Sequence, residues 1–187
     1  MSLRVLDLFC GAGGFSYGFS QVVKGRYLAI DKDPIALSTF RHNFPEKMVV
    51  KRDINDLHSD EIVEILGGKP DIIIASPPCE EFSLANPTSK QSAAERIYGT
   101  GTARLVLDTI RLISDLSPSV YVIENVAAIL QAGGRGILHR EMRQAGIDEI
   151  VFNLVRAHRH GNPSKRLRVF ISNLKLRLPR SCPPTVM

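Results

Sequence analysis

The stretch RVLDLFCGAGGFSYGF, residues 4–19, predicts a strand, a glycine turn and the start of a helix. The glycines at positions 11, 13 and 14 let the backbone turn sharply, because glycine adopts positive φ at no steric cost. A strand that enters a helix through such a turn is typical of ligand-binding α/β domains. The dinucleotide fingerprint GxGxxG is not matched, since Ser16 occupies the last glycine position. A plain tight turn between strand and helix explains this stretch equally well.

The rest of the chain repeats this alternation of short β-branched runs and longer amphipathic ones. Strands are predicted at 4–9, 26–31, 47–53, 70–76, 119–125, 149–157 and 168–173. Helices are predicted at 14–23, 33–43, 59–66, 103–117 and 135–146. Strands that alternate with helices form right-handed βαβ units and a parallel sheet. We therefore expect one α/β domain over residues 1–187, with a doubly wound, mostly parallel Rossmann-like sheet and helices on both faces.

Composition and charge narrow the class of protein. The 187 residues are 44% hydrophobic and 23% charged, ordinary for one soluble domain, and no apolar run approaches the roughly 18 residues of a membrane span. The N-terminus lacks the features of a signal peptide, so we expect a cytoplasmic or nucleoid-associated protein. A net charge of +5 permits a polyanionic partner without establishing one. Three scattered cysteines fit neither a disulfide framework nor a zinc site, and no metal is expected.

Acidic residues stand at the ends of the first three predicted strands, where ligands of doubly wound sheets bind. Asp7 precedes the glycine turn, Asp31 ends the second strand, and Asp53 with Ile54 ends the third. Asp31 is placed to hold a pair of ribose hydroxyls, and Asp53 to accept a hydrogen bond from an exocyclic amine. Each acid alone is more often a helix cap or a solvated loop residue. Together with the glycines, they predict an adenosine pocket rather than a pyrophosphate one.

The segment IIIASPPCEEFS, residues 72–83, carries Cys79 out of the fourth predicted strand behind two prolines. The fifth strand ends at Glu124, and if the two strands are neighbours, Cys79 and Glu124 share one rim. A thiolate beside a protonatable carboxyl suits covalent catalysis on an electron-poor ring. The alternatives are a packed thiol, and a salt bridge from Glu124 to Arg166 or Arg168, because an unpaired buried carboxylate is costly.

Two further segments flank this rim. GNPSKRLRVF, residues 161–170, places Arg166 and Arg168 on the same side of the last strand, where they can hold an anionic backbone or a carbonyl oxygen. A solvated edge strand is the alternative. The polar connection from Glu80 to Thr102 is longer than most loops inside a domain, which favours a lid over the site.

In their order along the chain, these motifs resemble those of the cytosine-5 DNA methyltransferase family, and the chain looks like its N-terminal catalytic portion. DLFCGAGGFSYGF is similar to the family's first motif, and SPPCEEFS to its nucleophile motif, usually PCQxFS. ENV at 124–126 is similar to the second catalytic motif, and GNPSKRLRVF to the motif GxPQxRxRV. An ordered set across essentially the whole chain is far more specific than any single motif.

The resemblance implies S-adenosylmethionine as the cofactor and a Rossmann-like methyltransferase fold. The residues assigned to the cofactor site on this basis are Asp7, Phe9, Gly11, Gly13, Gly14, Asp31, Lys32, Asp53, Ile54 and Pro78. Asp31 matches the ribose-binding acid, which is usually Glu, and Asp53 matches the acid near the adenine amino group.

The resemblance also implies methyl transfer to carbon 5 of cytosine in DNA, with the base flipped out of its duplex. Cys79 would attack carbon 6, and Glu124 would hydrogen-bond N3 and the exocyclic amine. Arg168, supported by Arg166, would hold the carbonyl oxygen of the base. Ser83 would lie near the target, under the loop that follows Cys79. A restriction-modification system is the expected setting.

Two substitutions and one missing part depart from the family pattern. Glu80 replaces the glutamine after the nucleophile and, with Glu81, adds negative charge where DNA phosphates approach, and Ser164 replaces the glutamine of the last motif. The family's target-recognition domain and final motif are not found before Met187. We expect a split enzyme completed by a second polypeptide or a second copy. A minimal enzyme, an inactive remnant, an RNA cytosine methyltransferase and a non-catalytic subunit that binds cofactor or nucleic acid remain open.

Overall fold

The computed structural model describes residues 2–82 and 92–177. Within these ranges, the strands are β1 (Leu3–Leu8), β2 (Gly25–Asp31), β3 (Met48–Lys51), β4 (Ile72–Ala75), β5 (Val120–Val126), β6 (Val151–Arg156) and β7 (Leu167–Ser172). The helices are α1 (Gly14–Ser20), α2 (Pro34–Asn43), α3 (Ser59–Leu66), α4 (Ala93–Ile97), α5 (Leu105–Leu116) and α6 (Gly134–Gln144). Each predicted strand and helix is therefore present, with shifts of a few residues at its ends.

The strands form one sheet in the order β3-β2-β1-β4-β5-β7-β6. Strands β1 to β5 are parallel, and β7 runs antiparallel between β5 and β6. The predicted doubly wound, mostly parallel sheet is confirmed, and the fourth and fifth strands are neighbours, which is the condition for Cys79 and Glu124 to share one rim. The strand order reverses between β1 and β4, which opens a crevice at their carboxyl ends. Asp31, Cys79 and Glu124 all follow or end strands at this edge.

Helices cover both faces of the sheet because successive strand residues point to opposite sides. On one face, Val5, Ile72 and Ile74 pack with Phe15 and Phe19 of α1, while α2 packs beside them on Ala29. On the other face, the larger core joins the sheet to α3, α5 and α6. Its sheet residues include Leu6, Leu8, Leu28, Ile30, Ile73 and Ile123. The continuous apolar runs of the parallel strands follow from burial on both sides.

Three segments differ in detail from the prediction. Helix α1 ends at Ser20 rather than at residue 23, and the predicted helix 103–117 begins as a 3₁₀ turn, Thr102–Arg104, before α5. The long connection after Cys79, predicted as a lid, contains α4, whose start is stabilised by a capping box between Ser92 and Glu95. Residues 83–91 of that connection, including Ser83, lie outside the described residues. In the described ranges, no helix is long and apolar enough to cross a bilayer.

Candidate active site

A cavity of about 320 Å³ opens at the carboxyl edge of the sheet, where the five parallel strands β1 to β5 end. It is lined by Phe9, Asp31, Lys32, Arg52, Asp53, Ile54, Ser76, Pro77, Pro78, Cys79, Glu80, Leu105 and Glu124. Acidic groups from β2 and β3 therefore stand at one end, and the thiol and carboxyl from β4 and β5 stand at the other. One cavity thus connects the predicted cofactor end with the predicted chemical end.

The glycine turn is shaped by close packing as well as by backbone conformation. Gly11 and Gly13 have φ of 53° and 97°, in the left-handed region that favours glycine. A Cβ on Gly13 would overlap the ring of Phe44, so a larger residue is excluded by space too. Phe9, which lines the cavity just before the turn, has φ of 59°. Such a conformation is uncommon for an aromatic residue and is maintained by its surroundings.

Asp31 holds the glycine turn to the end of β2. Its Oδ2 accepts a hydrogen bond of 2.9 Å from the backbone N–H of Gly11, and its Oδ1 accepts one of 3.0 Å from Asp33. Asp33 in turn caps α2 by accepting from the backbone of Ile35. The carboxylate of Asp31 therefore fixes the geometry of the cavity wall, and each of its oxygens keeps a further lone pair that can accept a hydrogen bond.

Asp53 stands at the neighbouring corner of the cavity. Its Oδ1 accepts from the backbone N–H of Asn55, and its Oδ2 lies 3.5 Å from Nζ of Lys32. The backbone hydrogen bond from Asn55 holds the pKa of the Asp53 carboxyl below its usual range, with a smaller contribution from the charge on Lys32. Asp53 is thus a hydrogen-bond acceptor across the neutral pH range.

Asp7 is fully buried and does not line the cavity. Its Oδ2 accepts a hydrogen bond of 2.6 Å from Oγ of Ser16 in α1, and its Oδ1 has no partner among the described residues. Burial raises the pKa of the Asp7 carboxyl to about 7, against the opposing effects of Ser16 and of the charge on Lys47. Asp7 therefore ties α1 to β1 beneath the glycine turn.

The pKa of Asp7 makes the stability of the fold depend on pH. The folded value, about 7, lies above the ordinary value of 3.8, so the stabilisation is complete below pH 3.8 and is lost as pH rises through 7. We expect Asp7→Asn, which keeps an acceptor for Ser16, to flatten the pH dependence by about 3 kcal/mol between pH 5 and 8.5. Urea unfolding across this range measures it, with the exposed Asp56→Asn as control. Equal slopes for Asp7→Asn and the native chain would contradict the assignment.

Cys79 follows the two prolines at the end of β4 and is half-buried. The side chain of Asn125, buried at the end of β5, donates a hydrogen bond of 3.3 Å to the carbonyl of Pro77. The carbonyl of Cys79 accepts from the backbone N–H of Phe82, which closes a 3₁₀ turn at Glu80–Phe82. The thiol is therefore presented by a turn that is anchored on both sides.

The electrostatics at Cys79 come from groups on β5 and β7. Burial raises the pKa of the Cys79 thiol, and the charge of Glu124 raises it further. The charges of Arg168 and Arg166 lower it. Arg168 Nε lies 2.9 Å from Glu124 Oε1, so the salt bridge considered from the sequence is present, and it lies beside the thiol. A change that removes the charge of Glu124 leaves the two arginines to favour the thiolate.

The sequence-predicted residues fall into two groups. Those that line the cavity are Phe9, Asp31, Lys32, Asp53, Ile54, Pro78, Cys79 and Glu124. Asp7 and the three glycines lie beneath or beside its wall, Arg168 is paired with Glu124, and Arg166 is exposed just before β7. In the described ranges, no group of three or more histidine, cysteine or acidic side chains is placed to hold a metal.

Sequence reasoning missed several residues of the site. Arg52, Ser76 and Leu105 line the cavity, and Asn125 and Glu81 hold the nucleophile turn from outside it. Arg52 and Ser76 lie at the ends of predicted strands. The rule that ligands bind at the carboxyl ends of parallel strands is therefore sufficient to find them. Leu105 has no such signal, because a leucine at the start of a helix is ordinary core.

Comparisons with known proteins agree with this geometry. Residues 3–182 match the family model described as C-5 cytosine-specific DNA methylase. M.MjaORF1200P of Methanocaldococcus jannaschii, named as a candidate type II methyltransferase, is 31% identical, and the match covers 99% of this chain and 64% of that protein. The type II methyltransferase M.DdeI of Desulfomicrobium norvegicum is also 31% identical, with 92% and 41% covered. The chain thus spans less than two thirds of these relatives.

A solved structure supports the fold independently of sequence. The methyltransferase EhMeth of Entamoeba histolytica superposes with a TM-score of 0.74 over 98% of this chain and 58% of that one. The two chains are 19% identical, so this likeness bears on the fold alone.

Proposed function

Because the chain belongs to the C-5 cytosine-specific DNA methylase family, we propose that its cavity methylates carbon 5 of cytosine in DNA with S-adenosylmethionine as methyl donor. One observation carries the proposal: Cys79 and Glu124 line the same cavity as Asp31 and Asp53. A nucleophile, a proton-exchanging carboxyl and a nucleoside-sized acidic pocket are thereby brought together. The family uses this cofactor generally, and the assignment of individual residues is our proposal.

The acidic end of the cavity fits the adenosine part of the cofactor. Asp31 offers lone pairs to ribose hydroxyls, Asp53 accepts from the adenine amine, and Ile54 and Phe9 give apolar surface for the base. Lys32 lies at the same end of the cavity, where its Nζ pairs with Oδ2 of Asp53. When bound there, S-adenosylmethionine supplies an electrophilic methyl group to carbon 5 of the target base.

At the other end, Cys79 acts as the nucleophile. Its Sγ, as thiolate, forms a bond to carbon 6 of the flipped cytosine, and the electron pair of the C5–C6 double bond makes carbon 5 nucleophilic. After methylation, carbon 5 loses its proton, the C5–C6 double bond re-forms, and Cys79 leaves as thiolate. Covalent attack divides a difficult substitution on an aromatic ring into two easier steps.

Glu124 and Arg168 bind the base and link its arrival to activation of the thiol. Glu124 lines the cavity and Arg168 is paired with it, so both side chains lie beside a base that enters the cavity. A proton held between Glu124 and N3 of cytosine removes the negative charge that raises the pKa of Cys79. The nucleophile is therefore formed chiefly when a cytosine is in place, and Arg168 then stabilises negative charge on the carbonyl oxygen.

The test of this function is covalent trapping. Duplex DNA with 5-fluorocytosine blocks the loss of the carbon 5 substituent, so a true enzyme remains attached to it. We expect a stable adduct that requires S-adenosylmethionine and Cys79. A transfer RNA with 5-fluorocytosine serves as the second arm, and trapping only there would assign the activity to RNA. No adduct in either arm, with cofactor binding intact, would support the non-catalytic alternative.

The charge distribution supports a nucleic-acid substrate. From Ile150 to Met187 the chain has eight Lys and Arg residues and no Asp or Glu. The whole chain has 24 Lys and Arg residues and 19 Asp and Glu residues. The remaining 149 residues therefore carry 16 basic and 19 acidic side chains. Arg156, Arg159 and Lys165 lie exposed around the connection between β6 and β7, next to the arginines of the site. A basic surface at the catalytic rim attracts a phosphate backbone.

We expect Arg156→Gln with Arg159→Gln to weaken DNA binding uniformly across sequences. Removal of each phosphate contact should lower the slope of log affinity against log salt by about 0.9. Fluorescence anisotropy over a series of salt concentrations measures the slope. Lys24→Gln with Lys69→Gln removes the same charge from exposed positions in the loops that lead into β2 and β4. An equal loss of affinity in both double variants would show that only net charge matters.

We further propose that reading of the DNA sequence requires protein outside the described residues, as a second polypeptide or a second copy. The relatives support this, since they contain sequence beyond the part that this chain matches. The chain alone should then bind cofactor yet methylate mixed-sequence duplex DNA slowly. Efficient methylation of one defined sequence by the chain alone would contradict this part of the proposal.

A further inference from the structure

Glu81, one of the two acids predicted to be unfavourable near DNA, is engaged inside the protein. Its Oε1 accepts a hydrogen bond of 2.8 Å from the backbone N–H of Ala103 and one of 3.2 Å from Oγ1 of Thr102. Both hydrogen bonds are partly buried and join segments that are 21 and 22 residues apart in sequence. The side chain therefore faces a helix start rather than the surface where phosphates would lie.

The helix start that Glu81 meets has no cap of its own. The 3₁₀ turn Thr102–Arg104 continues directly into α5, and neither Gly101 nor Arg104 provides a side-chain capping hydrogen bond. The first backbone N–H groups of a helix lack partners within it, and they favour a negative charge nearby. Glu81 supplies both an acceptor and a charge from a distant part of the chain.

The contact between Glu81 and the helix start requires a residue without a side chain at Gly101. Its φ of −79° and ψ of −177° are open to any residue, so backbone conformation does not require glycine. A Cβ at this position would instead overlap the carboxylate of Glu81. The absence of a side chain at Gly101 is what leaves room for Glu81 at the helix start.

The contact joins two walls of the catalytic cavity. Glu81 is two residues after Cys79, in the turn whose Phe82 is buried in the main core. Leu105, two residues after Ala103, is the first residue of α5 and also lines the cavity. Together with the anchor from Asn125 to Pro77, the contact fixes the nucleophile turn from both sides.

We infer that Glu81 is a positioning residue, which holds Cys79 at its working distance from the cofactor and base by fastening the nucleophile turn to the start of α5. The inference rests on the proposed role of Cys79 as nucleophile. It also explains how two consecutive acids are tolerated after that cysteine, since one of them, Glu81, accepts hydrogen bonds at a helix start. Glu81 touches neither substrate nor cofactor in this account, and it acts only through Cys79.

Two variants test the contact from opposite sides. Glu81→Ala removes the acceptor, and Gly101→Ala displaces it while leaving Glu81 in place. We expect hydrogen exchange of the Ala103 amide to become about five- to tenfold faster in each, as for loss of a helix cap. The double variant should show little further change, because both substitutions remove one interaction. Glu81→Gln keeps an amide oxygen for Ala103 and should restore most of the protection.

The effect of Glu81 on the position of Cys79 is measured by the reactivity of the Cys79 thiol. Alkylation of Cys79 by iodoacetamide, followed by mass spectrometry, needs neither DNA nor cofactor, so it remains informative if the proposed function fails. We expect alkylation to change at least threefold in Glu81→Ala and Gly101→Ala, and capture of 5-fluorocytosine DNA to slow at least tenfold. Glu81→Gln should return both rates towards those of the native chain. Glu64→Ala, an exposed acid of α3, is the control for loss of charge.

The inference fails if Ala103 exchanges faster while alkylation of Cys79 is unchanged, because Glu81 would then be a helix cap alone. It also fails if neither rate differs from that of Glu64→Ala. If Glu81→Ala does not fold, Gly101→Ala and Thr102→Val carry the same test with smaller perturbations. Lack of any DNA adduct in the native chain would instead count against the proposed function.

Discussion

Cys79→Ala is expected to abolish methyl transfer and the covalent capture of 5-fluorocytosine DNA. Without Sγ the cavity, as the described residues line it, has no thiol to bond to carbon 6, and cytosine carbon 5 is otherwise too poor a nucleophile. Loss of a catalytic nucleophile typically costs 10⁴-fold or more, so we expect residual activity below about 10⁻⁴ of the native rate. Labelled methyl incorporation and the mass of trapped complexes measure the two effects.

Cys10→Ala is the matched control for removal of a thiol. Cys10 is buried against α2, and burial raises the pKa of its thiol. It does not line the cavity. The Cys10→Ala chain should therefore still be captured by 5-fluorocytosine DNA. Capture that survives in Cys79→Ala but disappears in Cys10→Ala would show that the nucleophile has been misassigned.

Glu124→Gln is expected to slow the capture of 5-fluorocytosine DNA and to speed the alkylation of Cys79. The amide cannot share a proton with cytosine N3, so capture of DNA should fall by about 10²- to 10³-fold, as for loss of a preorganised hydrogen-bonding group. The same substitution removes the negative charge that raises the pKa of Cys79. More thiolate is then present near neutral pH, so alkylation by iodoacetamide should become several-fold faster.

Arg168→Gln is expected to change the pKa of Cys79 in the direction opposite to Glu124→Gln. It also breaks the pair with Glu124 and should slow DNA capture, but it removes a charge that lowers the pKa of Cys79. Alkylation should therefore become slower, opposite to the effect of Glu124→Gln. The pH dependence of alkylation should shift to lower pH in Glu124→Gln and to higher pH in Arg168→Gln. Shifts of the same sign in both would contradict the electrostatic account of the site.

Much of the fold can be predicted from sequence because its signals are local. The apolar runs of β1, β4 and β5 and the glycine turn at residues 11–14 each determine structure within a few residues. The rule that ligands bind at the carboxyl ends of strands then predicts that Asp31, Cys79 and Glu124 lie at one edge of the sheet. The antiparallel insertion of β7 between β5 and β6 is not specified in this way, because strand order depends on pairing between distant segments.

The parts of the site that escape prediction depend on contacts between distant residues. From sequence, Glu81 adds unfavourable charge near DNA, whereas its partners lie at Thr102 and Ala103. The sequence places Asp7 in the cofactor pocket, and its burial against Ser16 follows only from the position of α1 on the sheet. In both cases the sequence shows the acidic side chain but not which polar group will donate a hydrogen bond to it.

The most direct test of the central claim is to identify the atom bonded to a trapped cytosine. The chain is incubated with S-adenosylmethionine and duplex DNA containing 5-fluorocytosine, digested, and analysed by tandem mass spectrometry. We predict a nucleoside adduct on the peptide that contains Cys79, carrying both the added methyl group and the retained fluorine. An adduct on another residue, or unmodified Cys79 in a chain that binds both DNA and cofactor, would contradict the mechanism.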